Sequence, residues 1–591
     1  MSQGVARLNW FGLVCAALVS AIADAPRWRP ALLPASRWAR LSLFALILFT
    51  LLRSVLWASI QPAFLAPDED YHFLYINHLV IDGSVPDLHK GNDSQEYEAT
   101  VSLSNQGLYL AGPRTQYTGA PHAMLAHLRG LSRRPAPPPP RGVLEAPAYY
   151  VGGALLDNLL WSRVSVTRLA GLRYYSAVLG ALTVFFTWLL AAQILAREWQ
   201  QLAAAAVPSV QMILAFSASI VSNDVGVAVT MTATLAWCAW MLRSPPQARQ
   251  GIVLGVLLSI SLLTKATELS LLLVVAVVLA VLWRTYPEAR RRLWRVVGWT
   301  VVIPLLLAGW WYVYLRITTH SFLGSLGGYS PTPTQPGGPG LSQAPEVARL
   351  WIDQVYRNYW FTFLFDEVPA GGFWFYVPAV GIVIVVVGLL VFLVRTRFSA
   401  FTSAGATRRG VLLVLLTAML LAAVPFLSDT WRLTHGIGFL TQQGRFLVPT
   451  YPGLAIIAVL AMGELTRWHR RAYPAAVGLL VLSAFVLYWH SWIRWALESS
   501  YGFVQGHWLR LLDHAVYDKP TFITPVTLEA LGAGGMLAFA AAVAFAVVGA
   551  RRDLTDRAWQ AARGTHDPTA RVPRPPTSGP TRTGLNGPSA E

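Results

Sequence analysis

Apolar runs recur along most of the chain, and polar residues concentrate in the connections between them. A helix of roughly 20 apolar residues is long enough to cross a bilayer. We place the twelve apolar runs at approximately 41–60, 168–194, 201–220, 223–243, 250–264, 267–284, 295–315, 373–394, 410–427, 444–463, 472–490 and 526–550. The fifth is short for a crossing. The pattern predicts an all-α integral membrane protein, a bundle of about 12 transmembrane helices with long outward-facing loops.

Arginine clusters fall in alternate connections and so lie on one side of the predicted bundle, apart from Arg133 and Arg134 in the long first outer loop, where the positive-inside rule has little force. They are Arg27, Arg29, Arg37, Arg40, Arg243, Arg249, Arg290, Arg291, Arg292, Arg295, Arg395, Arg397, Arg408, Arg409, Arg467, Arg470, Arg471, Arg551 and Arg552. Short basic connections stay in the cytoplasm. The sequence therefore predicts a multi-pass protein of the plasma membrane with both termini cytoplasmic. Only 3 of the 46 basic residues are lysines, a bias that indicates a GC-rich bacterial genome.

The spans divide the chain into three parts. Residues 1–40 form a cytoplasmic or interfacial segment, and the apolar stretch 10–23 within it is too short for a comfortable crossing. Residues 41–550 form the polytopic domain, with outer loops at about 61–167, 318–372 and 491–525. The second loop opens with a Gly/Pro/Ser-rich run at 324–340, which we interpret as a flexible lid or linker. Residues 551–591 are polar and basic, which predicts a disordered cytoplasmic tail.

Composition supports the membrane class and excludes other functions. Apolar residues make up 54% of the chain, charged residues 13%, and the mean hydropathy is +0.46. The formal charge of +17 comes mostly from the arginine clusters between spans, so we do not expect nucleic-acid binding. Cys15 and Cys238 both lie in apolar stretches and predict neither a disulfide framework nor a cysteine metal site.

The strongest local signal is an acidic cluster just beyond the first span, where Asp68, Glu69 and Asp70 precede His72 in the string Ala-Pro-Asp-Glu-Asp-Tyr-His. Pro67 suits the first turn of a helix, on which Asp68 and His72 would share a face. Crowded carboxylates repel one another, so we expect at least one raised pKa, as a general base at neutral pH requires. A solvated helix start with its usual acids is the alternative interpretation.

Two cations and a polar pair lie on the same predicted outer side. Lys265 is the only lysine within the spans, and an ionisable group at membrane depth indicates function. It could instead snorkel or pair with Glu268. Arg445 begins the tenth span, where its guanidinium suits a phosphate or serves as an interfacial anchor. Asn223 and Asp224 either cap the fourth span or contact substrate or metal.

Several strings in this order resemble known membrane proteins. Pro-Asp-Glu-x-x-His at Pro67 to His72 resembles the hallmark of a bacterial polytopic family of unknown function, which in turn resembles the GT-C glycosyltransferases, such as protein O-mannosyltransferases and the lipid A aminoarabinose transferase. The matching strings are Glu145-Ala146-Pro147-Ala148-Tyr149-Tyr150, Arg173 with Ser176 and Gly180, Ser222-Asn223-Asp224, Leu263-Thr264-Lys265 and Gln443-Gly444-Arg445-Phe446. The likeness covers roughly residues 40 to 550 and implies a GT-C-like bundle.

The resemblance implies a glycosyltransferase that moves a sugar from a polyprenyl phosphate to an envelope glycan, lipid or protein at the outer face, with inversion. It implies Asp68 as the catalytic base and Glu69 as its rival. The residues implied in substrate binding are Asp70, His72, Tyr149, Tyr150, Asn223, Asp224, Lys265 and Arg445. No cofactor is certain, but Asp68, Glu69 and Asp70 could hold a hard divalent cation. No histidine metal site is predicted.

Two other classes remain open at the level of the sequence. One is a transporter or flippase of envelope or lipid-linked saccharide, although such proteins usually place charged groups and broken helices near the middle of the bilayer. The other is a non-catalytic scaffold for envelope assembly, in which the charges of Asp68 and Lys265 are dispensable.

Overall fold

The structure is a computed structural model that describes residues 33–86, 94–103, 127–132, 145–320, 322, 344–363, 366–367, 372–397, 403–434, 444–467, 472–487, 516 and 519–564. These residues are helical apart from turns, connections and one antiparallel pair of two-residue strands, β1 (Thr362–Phe363) and β2 (Asp366–Glu367). The α-helices are α1 (Arg37–Ile60), α2 (Glu69–Asp82), α3 (Gln95–Leu103), α4 (Ala148–Leu159), α5 (Ser165–Ile194), α6 (Glu198–Val210), α7 (Met212–Ser217), α8 (Asn223–Met241), α9 (Ala248–Leu262), α10 (Ser270–Thr285), α11 (Arg290–Leu307), α12 (Gly309–Thr319), α13 (Ala344–Phe361), α14 (Phe373–Arg395), α15 (Ser403–Thr434), α16 (Tyr451–Leu465), α17 (Ala472–Leu487) and α18 (Pro525–Gly564). Short 3-10 helices cover Ala266–Leu269, Pro287–Ala289 and Gly444–Thr450.

The all-α membrane class is confirmed. Seven helical segments among the described residues are long and apolar enough to cross a bilayer, and an eighth is added if the bent pair α11 and α12 forms one span. The helices α9 and α17 are apolar but shorter. Every predicted span coincides with a helix or a broken helix, whereas the total of about 12 crossings stays a prediction.

Two predicted spans are broken. The run 201–220 divides at Gln211, whose side-chain oxygen accepts from the backbone N–H of Leu214 at 2.8 Å and so caps α7. Pro208 lies within the last turn of α6, where its ring and missing N–H disfavour continuation. The run 295–315 bends by 45° between α11 and α12, just after Pro304. In both cases a proline lies in the last turn of the helix that ends at the break.

The bundle is organised around α1 and α5. Helix α1 packs against α18, α5 and α6, while α5 also packs against α8. Helix α9 packs on α11, and α14 packs on α16. The apolar core runs through these contacts and includes Trp188 of α5, Met231 of α8 and Leu254 of α9, each at most 2% exposed. This packing fixes the first turns of α5 and α8 and the end of α9, which carry or precede several residues of the candidate site.

The predicted first outer loop is largely helical where the structure describes it. Helices α2, α3 and α4 lie over one end of the bundle and are attached by buried polar contacts. Arg168 donates from Nε to Asp157 at 2.8 Å and from Nη2 to Asn77 at 2.7 Å. The Glu96 carboxylate accepts the backbone N–H of Ser165, at the start of α5, at 2.7 Å. These contacts explain how a polar segment forms a fixed layer.

The structure describes the remaining predicted segments only in part. The second outer loop contains α13 and the strand pair, but the run 324–340 lies outside the described residues. The stretch 10–23 and most of 491–525 also lie outside them. Helix α18 continues to Gly564, past the predicted start of the disordered tail at 551. The sequence from Arg551 to Gly564 has no proline and is rich in helix-forming alanine and arginine, which explains the extension.

Candidate functional site

The connection between α1 and α2 is a tight turn held by the buried side chain of Arg173, on α5. Its guanidinium donates to the backbone carbonyls of Ala58, Gln61 and Pro62 at 2.7–3.1 Å. It also donates to both carboxylate oxygens of Glu69, at 2.8 and 2.5 Å. The backbone N–H of Val221 adds a bond to Glu69 at 3.0 Å. Arg173 and Glu69 therefore fix the start of α2 relative to α5.

Asp68 is the last residue of this turn and differs from the prediction in position. It precedes α2 as the N-cap, in the left-handed region at φ 60°, and its side chain caps no backbone N–H. The carboxylate instead forms an ion pair with Arg445, which also donates to the Pro67 carbonyl at 3.0 Å. Half of the Asp68 side chain is exposed, whereas Arg445 is 7% exposed. The carboxylate of Asp68 is thus positioned by the ion pair with Arg445 and remains accessible to solvent.

Arg445 and Lys265 share a second acid, Asp224. The Lys265 Nζ donates to Asp224 Oδ1 at 2.7 Å, and Arg445 Nε lies 3.5 Å from Asp224 Oδ2. Lys265 also donates to the Asn223 side-chain oxygen at 3.2 Å and lies over the ring of Phe446, 5.2 Å from its centroid. Asp224 is 4% exposed and Lys265 16%. Asp224 therefore keeps two like charges close together.

These contacts decide two open interpretations. Ser222, not Asn223 or Asp224, is the N-cap of α8, and its hydroxyl accepts the backbone N–H of Asp224 at 3.2 Å. Lys265 pairs with Asp224 rather than with Glu268, which accepts a hydrogen bond from Thr230 at 2.6 Å. The capping and Glu268-pairing interpretations are corrected, because Ser222 leaves the next two side chains free to face Lys265.

Asp68, Arg445, Asp224 and Lys265 form the site cluster, and Glu145 joins it although the sequence assigned Glu145 no role. Its carboxylate accepts from Asn223 Nδ2 at 3.1 Å. Burial raises the pKa of Glu145 above its usual value, while the charge of Lys265 acts to lower it. The only sequence signal was its place at the head of the string that ends in Tyr149 and Tyr150.

His72 and Tyr150 form a hydrogen-bonded pair beside these charges. The His72 Nδ1 lies 2.7 Å from the Tyr150 hydroxyl, and the Tyr150 ring stacks on Tyr75 at 3.9 Å between centroids. Burial lowers the pKa of His72 to about 4, so its imidazole is neutral at physiological pH. The Tyr149 hydroxyl instead contacts Ser176 at 2.8 Å and accepts the backbone N–H of Ser222 at 3.0 Å. Tyr149 therefore supports the cap of α8.

The three adjacent acids do not converge. Asp68 pairs with Arg445, Glu69 with Arg173, and Asp70 accepts from the Tyr97 hydroxyl at 3.3 Å. Burial acts most strongly and raises the pKa of Asp68, but the charge and hydrogen bond of Arg445 and the charge of His72 together outweigh it and leave the pKa below its usual value. The pKa of Asp70 is raised, chiefly by burial. The expected raised pKa thus occurs at Asp70 rather than at the candidate base.

No cation site is formed by these acids as placed. Within the described part of the chain, no group of three or more His, Cys, Asp or Glu side chains has the arrangement that would hold a metal ion. Asp68, Glu69 and Asp70 do not fit a divalent cation because each has a different partner. A divalent cation at this site stays a prediction from the sequence.

The cluster lies at the end of the bundle opposite the arginine clusters. Arg37 begins α1 and Asp68 follows its far end, about 36 Å away for a helix of 24 residues. At the Arg37 end, Arg243 donates to the backbone of Gln193, and Arg395 pairs with Glu464. The positive-inside rule then predicts that the cluster faces outward.

The chain aligns with the archaeal oligosaccharyltransferase AglB from Archaeoglobus fulgidus, in complex with an inhibitory peptide and a dolichol-phosphate, at 12% identity and a TM-score of 0.39, over 81% of this chain and 58% of that one. It aligns with ArnT from Cupriavidus metallidurans bound to undecaprenyl phosphate at 15% identity and a TM-score of 0.39, over 88% and 80% of the two chains. The chain thus spans little more than half the length of the oligosaccharyltransferase.

TM-scores below 0.5 do not establish a common fold, so the functional proposal rests on the side chains described above. No curated protein matches the chain. The profile of a family described as predicted membrane protein (DUF2142) matches residues 51–454, which is 404 of the 591 residues and includes every residue of the cluster. The chain belongs to this family of predicted membrane proteins, DUF2142.

Proposed function

We propose that the chain is a membrane glycosyltransferase that moves a sugar from a polyprenyl phosphate to an envelope glycan, lipid or protein at the outer face of the membrane. The observation that carries the proposal is the half-exposed carboxylate of Asp68 beside two cations, Arg445 and Lys265, that a buried acid holds together. A base and a paired cation site are what transfer from a lipid phosphate requires.

Asp68 is the proposed base. Its lowered pKa keeps it ionised at neutral pH, and its exposure leaves it open to an acceptor hydroxyl. The carboxylate takes the hydroxyl proton as the acceptor oxygen forms a bond to the anomeric carbon. The bond from that carbon to the phosphate oxygen breaks on the opposite side, and its electron pair leaves with the lipid phosphate. In-line displacement of this kind inverts the anomeric configuration.

Lys265 and Arg445 are the proposed phosphate site. A guanidinium and an ammonium stabilise the charge that develops on a leaving phosphate. Asp224 contacts both Lys265 and Arg445 and so positions them before the donor binds. Asn223 accepts a further hydrogen bond from Lys265. Charges that are already in position stabilise a transition state more effectively than charges that must reorganise during the reaction.

Donor binding and base strength are coupled through Arg445. In the structure Arg445 pairs with Asp68, which lowers the basicity of that carboxylate. A phosphate that engages Arg445 competes with Asp68, so the Asp68 pKa rises when donor is bound. Asp68 is then a stronger base in the donor complex than in the free protein.

The remaining candidates take different roles. Glu69 is a poorer choice of base than Asp68, because it is buried and both its oxygens accept from Arg173. Neutral His72, held by the fully buried Tyr150 hydroxyl, would hydrogen-bond a sugar or acceptor group, and Asp70 would act at the edge of the same surface. Tyr149 acts through Ser222. No step is routed through a metal ion.

The function is tested with the purified full chain in liposomes, a panel of radiolabelled polyprenyl-phosphate sugars and a cell-envelope extract as the source of acceptor. We expect time-dependent release of polyprenyl phosphate together with a labelled product. Lys265→Gln should raise the KM for donor by about tenfold or more, as the loss of a charged contact costs over 1.4 kcal/mol. Arg316→Gln is the matched control, because it removes one exposed charge from α12 without touching the cluster.

Two outcomes contradict the proposal. Equal donor KM for Lys265→Gln and Arg316→Gln would remove the phosphate site. Movement of labelled saccharide lipid between leaflets without bond cleavage, for every donor, would instead establish the transporter or flippase.

A further inference from the structure

A basic cavity lies at the opposite end of the bundle from the cluster. It encloses about 420 Å³ and is walled by the start of α1, the start of α6 and α18 near Arg552. Arg37, Arg197 and Arg552 line it. Its apolar wall consists of Trp38, Trp199, Leu202, Phe545 and Ala546. The cavity therefore combines a cationic part with an apolar one.

The charge of this cavity is not balanced from within. Arg37 and Arg552 lie against the ring of Trp38, with guanidinium carbons 4.9 and 5.2 Å from its centroid. Among the residues that the structure describes, Arg37, Arg197 and Arg552 have no salt-bridge partner. Glu198 is the one acid in the lining, and its Oε1 already accepts the backbone N–H groups of Ala35 and Ser36.

Other arginines at this end are satisfied differently. Arg395 forms a two-point pair with Glu464, and Arg408 donates to the Thr396 carbonyl at 3.0 Å. Arg37, Arg197 and Arg552 differ from these in that all three line a single cavity. Guanidinium groups recognise phosphate oxygens through paired N–H donors.

We propose that this cavity binds the phosphodiester headgroup of an anionic phospholipid. The arginines contact the phosphate, and the acyl chains follow the wall formed by Phe545, Leu202 and the two tryptophans. The wall continues into α18, a candidate span whose apolar residues are mostly uncovered by the rest of the protein. An anionic lipid satisfies both halves of the cavity, since basic pockets between transmembrane helices bind such headgroups. The site is separate from the proposed transfer reaction and does not depend on it.

The test uses the full chain purified in a neutral detergent. Dioleoylphosphatidylglycerol is titrated and bound lipid is counted by native mass spectrometry, with dioleoylphosphatidylcholine and inorganic phosphate as parallel arms. We expect phosphatidylglycerol to bind and the other two not to. Arg37→Gln with Arg552→Gln should weaken its binding about 10- to 30-fold, from the loss of two charges. Both side chains are exposed, so folding should be retained.

Two further double variants distinguish binding in the cavity from attraction to the basic surface as a whole. Arg291→Gln with Arg292→Gln removes the same charge from exposed positions of α11 outside the cavity and should leave binding unchanged. Arg37→Lys with Arg552→Lys keeps the charge and should retain most of the affinity. Equal weakening by both glutamine pairs would show attraction to the basic surface alone and overturn the site. Displacement of the lipid by millimolar inorganic phosphate would assign the cavity to a free anion.

Discussion

Asp68, Glu69 and Asp70 are adjacent in the sequence but have three different environments. Asp68 is half exposed beside Arg445, Glu69 is buried against Arg173, and Asp70 accepts from Tyr97. The sequence identified the trio and preferred Asp68, but it could not rank the acids by geometry. Their partners come from α3, α5 and the segment at Arg445, more than 300 residues away in one case, and no local pattern reports such contacts.

Glu69→Gln should destabilise the protein without altering the chemistry directly. It leaves the buried guanidinium of Arg173 without its counter-charge, which costs about 3–5 kcal/mol. Glu464→Gln is the matched control, since Glu464 also accepts two bonds from an arginine, but Arg395 is 46% exposed. That exposed pair should contribute less than about 1 kcal/mol. Unfolding in a denaturing detergent measures both, and equal losses would contradict the structural role of Glu69.

His72 should make the stability of the protein fall in mild acid. Its pKa is about 4 in the folded protein and about 6.5 when unfolded. Between these values the unfolded chain binds a proton that the folded chain does not, so stability decreases as pH falls from about 6.5 to 4. The full difference corresponds to about 3 kcal/mol. Thermal unfolding from pH 7 to 5 should shift more for wild type than for His72→Gln, and parallel shifts would be inconsistent with a buried neutral imidazole.

At the scale of elements, apolar runs located the helices because a bilayer imposes the same length and apolarity on each span. The runs at 41–60, 168–194 and 373–394 match α1, α5 and α14 to within a few residues. The breaks at Gln211 and Ala308 were missed, since a continuous apolar run hides a change of helix direction. The helices α2 to α4 were called a loop because, at 14, 9 and 12 residues, each is too short to cross a bilayer. They pack on α5 through an apolar cluster that includes Phe73, Tyr150 and Leu172, together with buried polar contacts.

The contact between α9 and α11 should depend on Gly251. A Cβ at this position would lie 2.4 Å from the Val296 carbonyl oxygen and 2.7 Å from its Cα, both in the backbone of α11. Small residues spaced four apart permit such approaches between membrane helices, and Gly255 repeats the contact one turn later. Gly251→Ala should force the helices apart and lower the melting temperature by several degrees.

Gly298→Ala is the matched control for that contact. Gly298 lies on α11 itself, and a Cβ there would meet nothing within 4 Å. Alanine is the better helix former, so this variant should be neutral or slightly stabilising. An equal loss of thermal stability in the two variants would contradict close packing at Gly251 as its cause.

In the whole molecule, two groups of charged residues lie at opposite ends of the bundle. Arginine clusters and the basic cavity occupy one end, whereas Asp68, Glu145, Asp224, Lys265 and Arg445 occupy the other. The sequence predicted this separation well, because the alternation of basic connections records the side on which each turn lies. The mutual pairing of Lys265, Asp224 and Arg445 required the folded arrangement.

The predicted orientation can be measured with single cysteines in a Cys15→Ser, Cys238→Ser background. Tyr71, in α2 near the cluster, is 41% exposed, and Arg291 is exposed near the start of α11. Tyr71→Cys should react with a membrane-impermeant maleimide in intact cells, whereas Arg291→Cys should react only after permeabilisation. The reverse labelling pattern would place the cluster in the cytoplasm and contradict a reaction at the outer face.

The role of Asp68 as the base is tested by comparing sugar transfer by wild type, Asp68→Asn and Asp70→Asn at matched yield and melting temperature. Asp70→Asn makes the same chemical change two residues away, at an acid that does not contact Arg445 in the structure. We predict that Asp68→Asn lowers kcat by about 10²- to 10⁴-fold, the usual contribution of a general base, and that Asp70→Asn changes it by less than about tenfold. Undiminished transfer by Asp68→Asn would contradict the account.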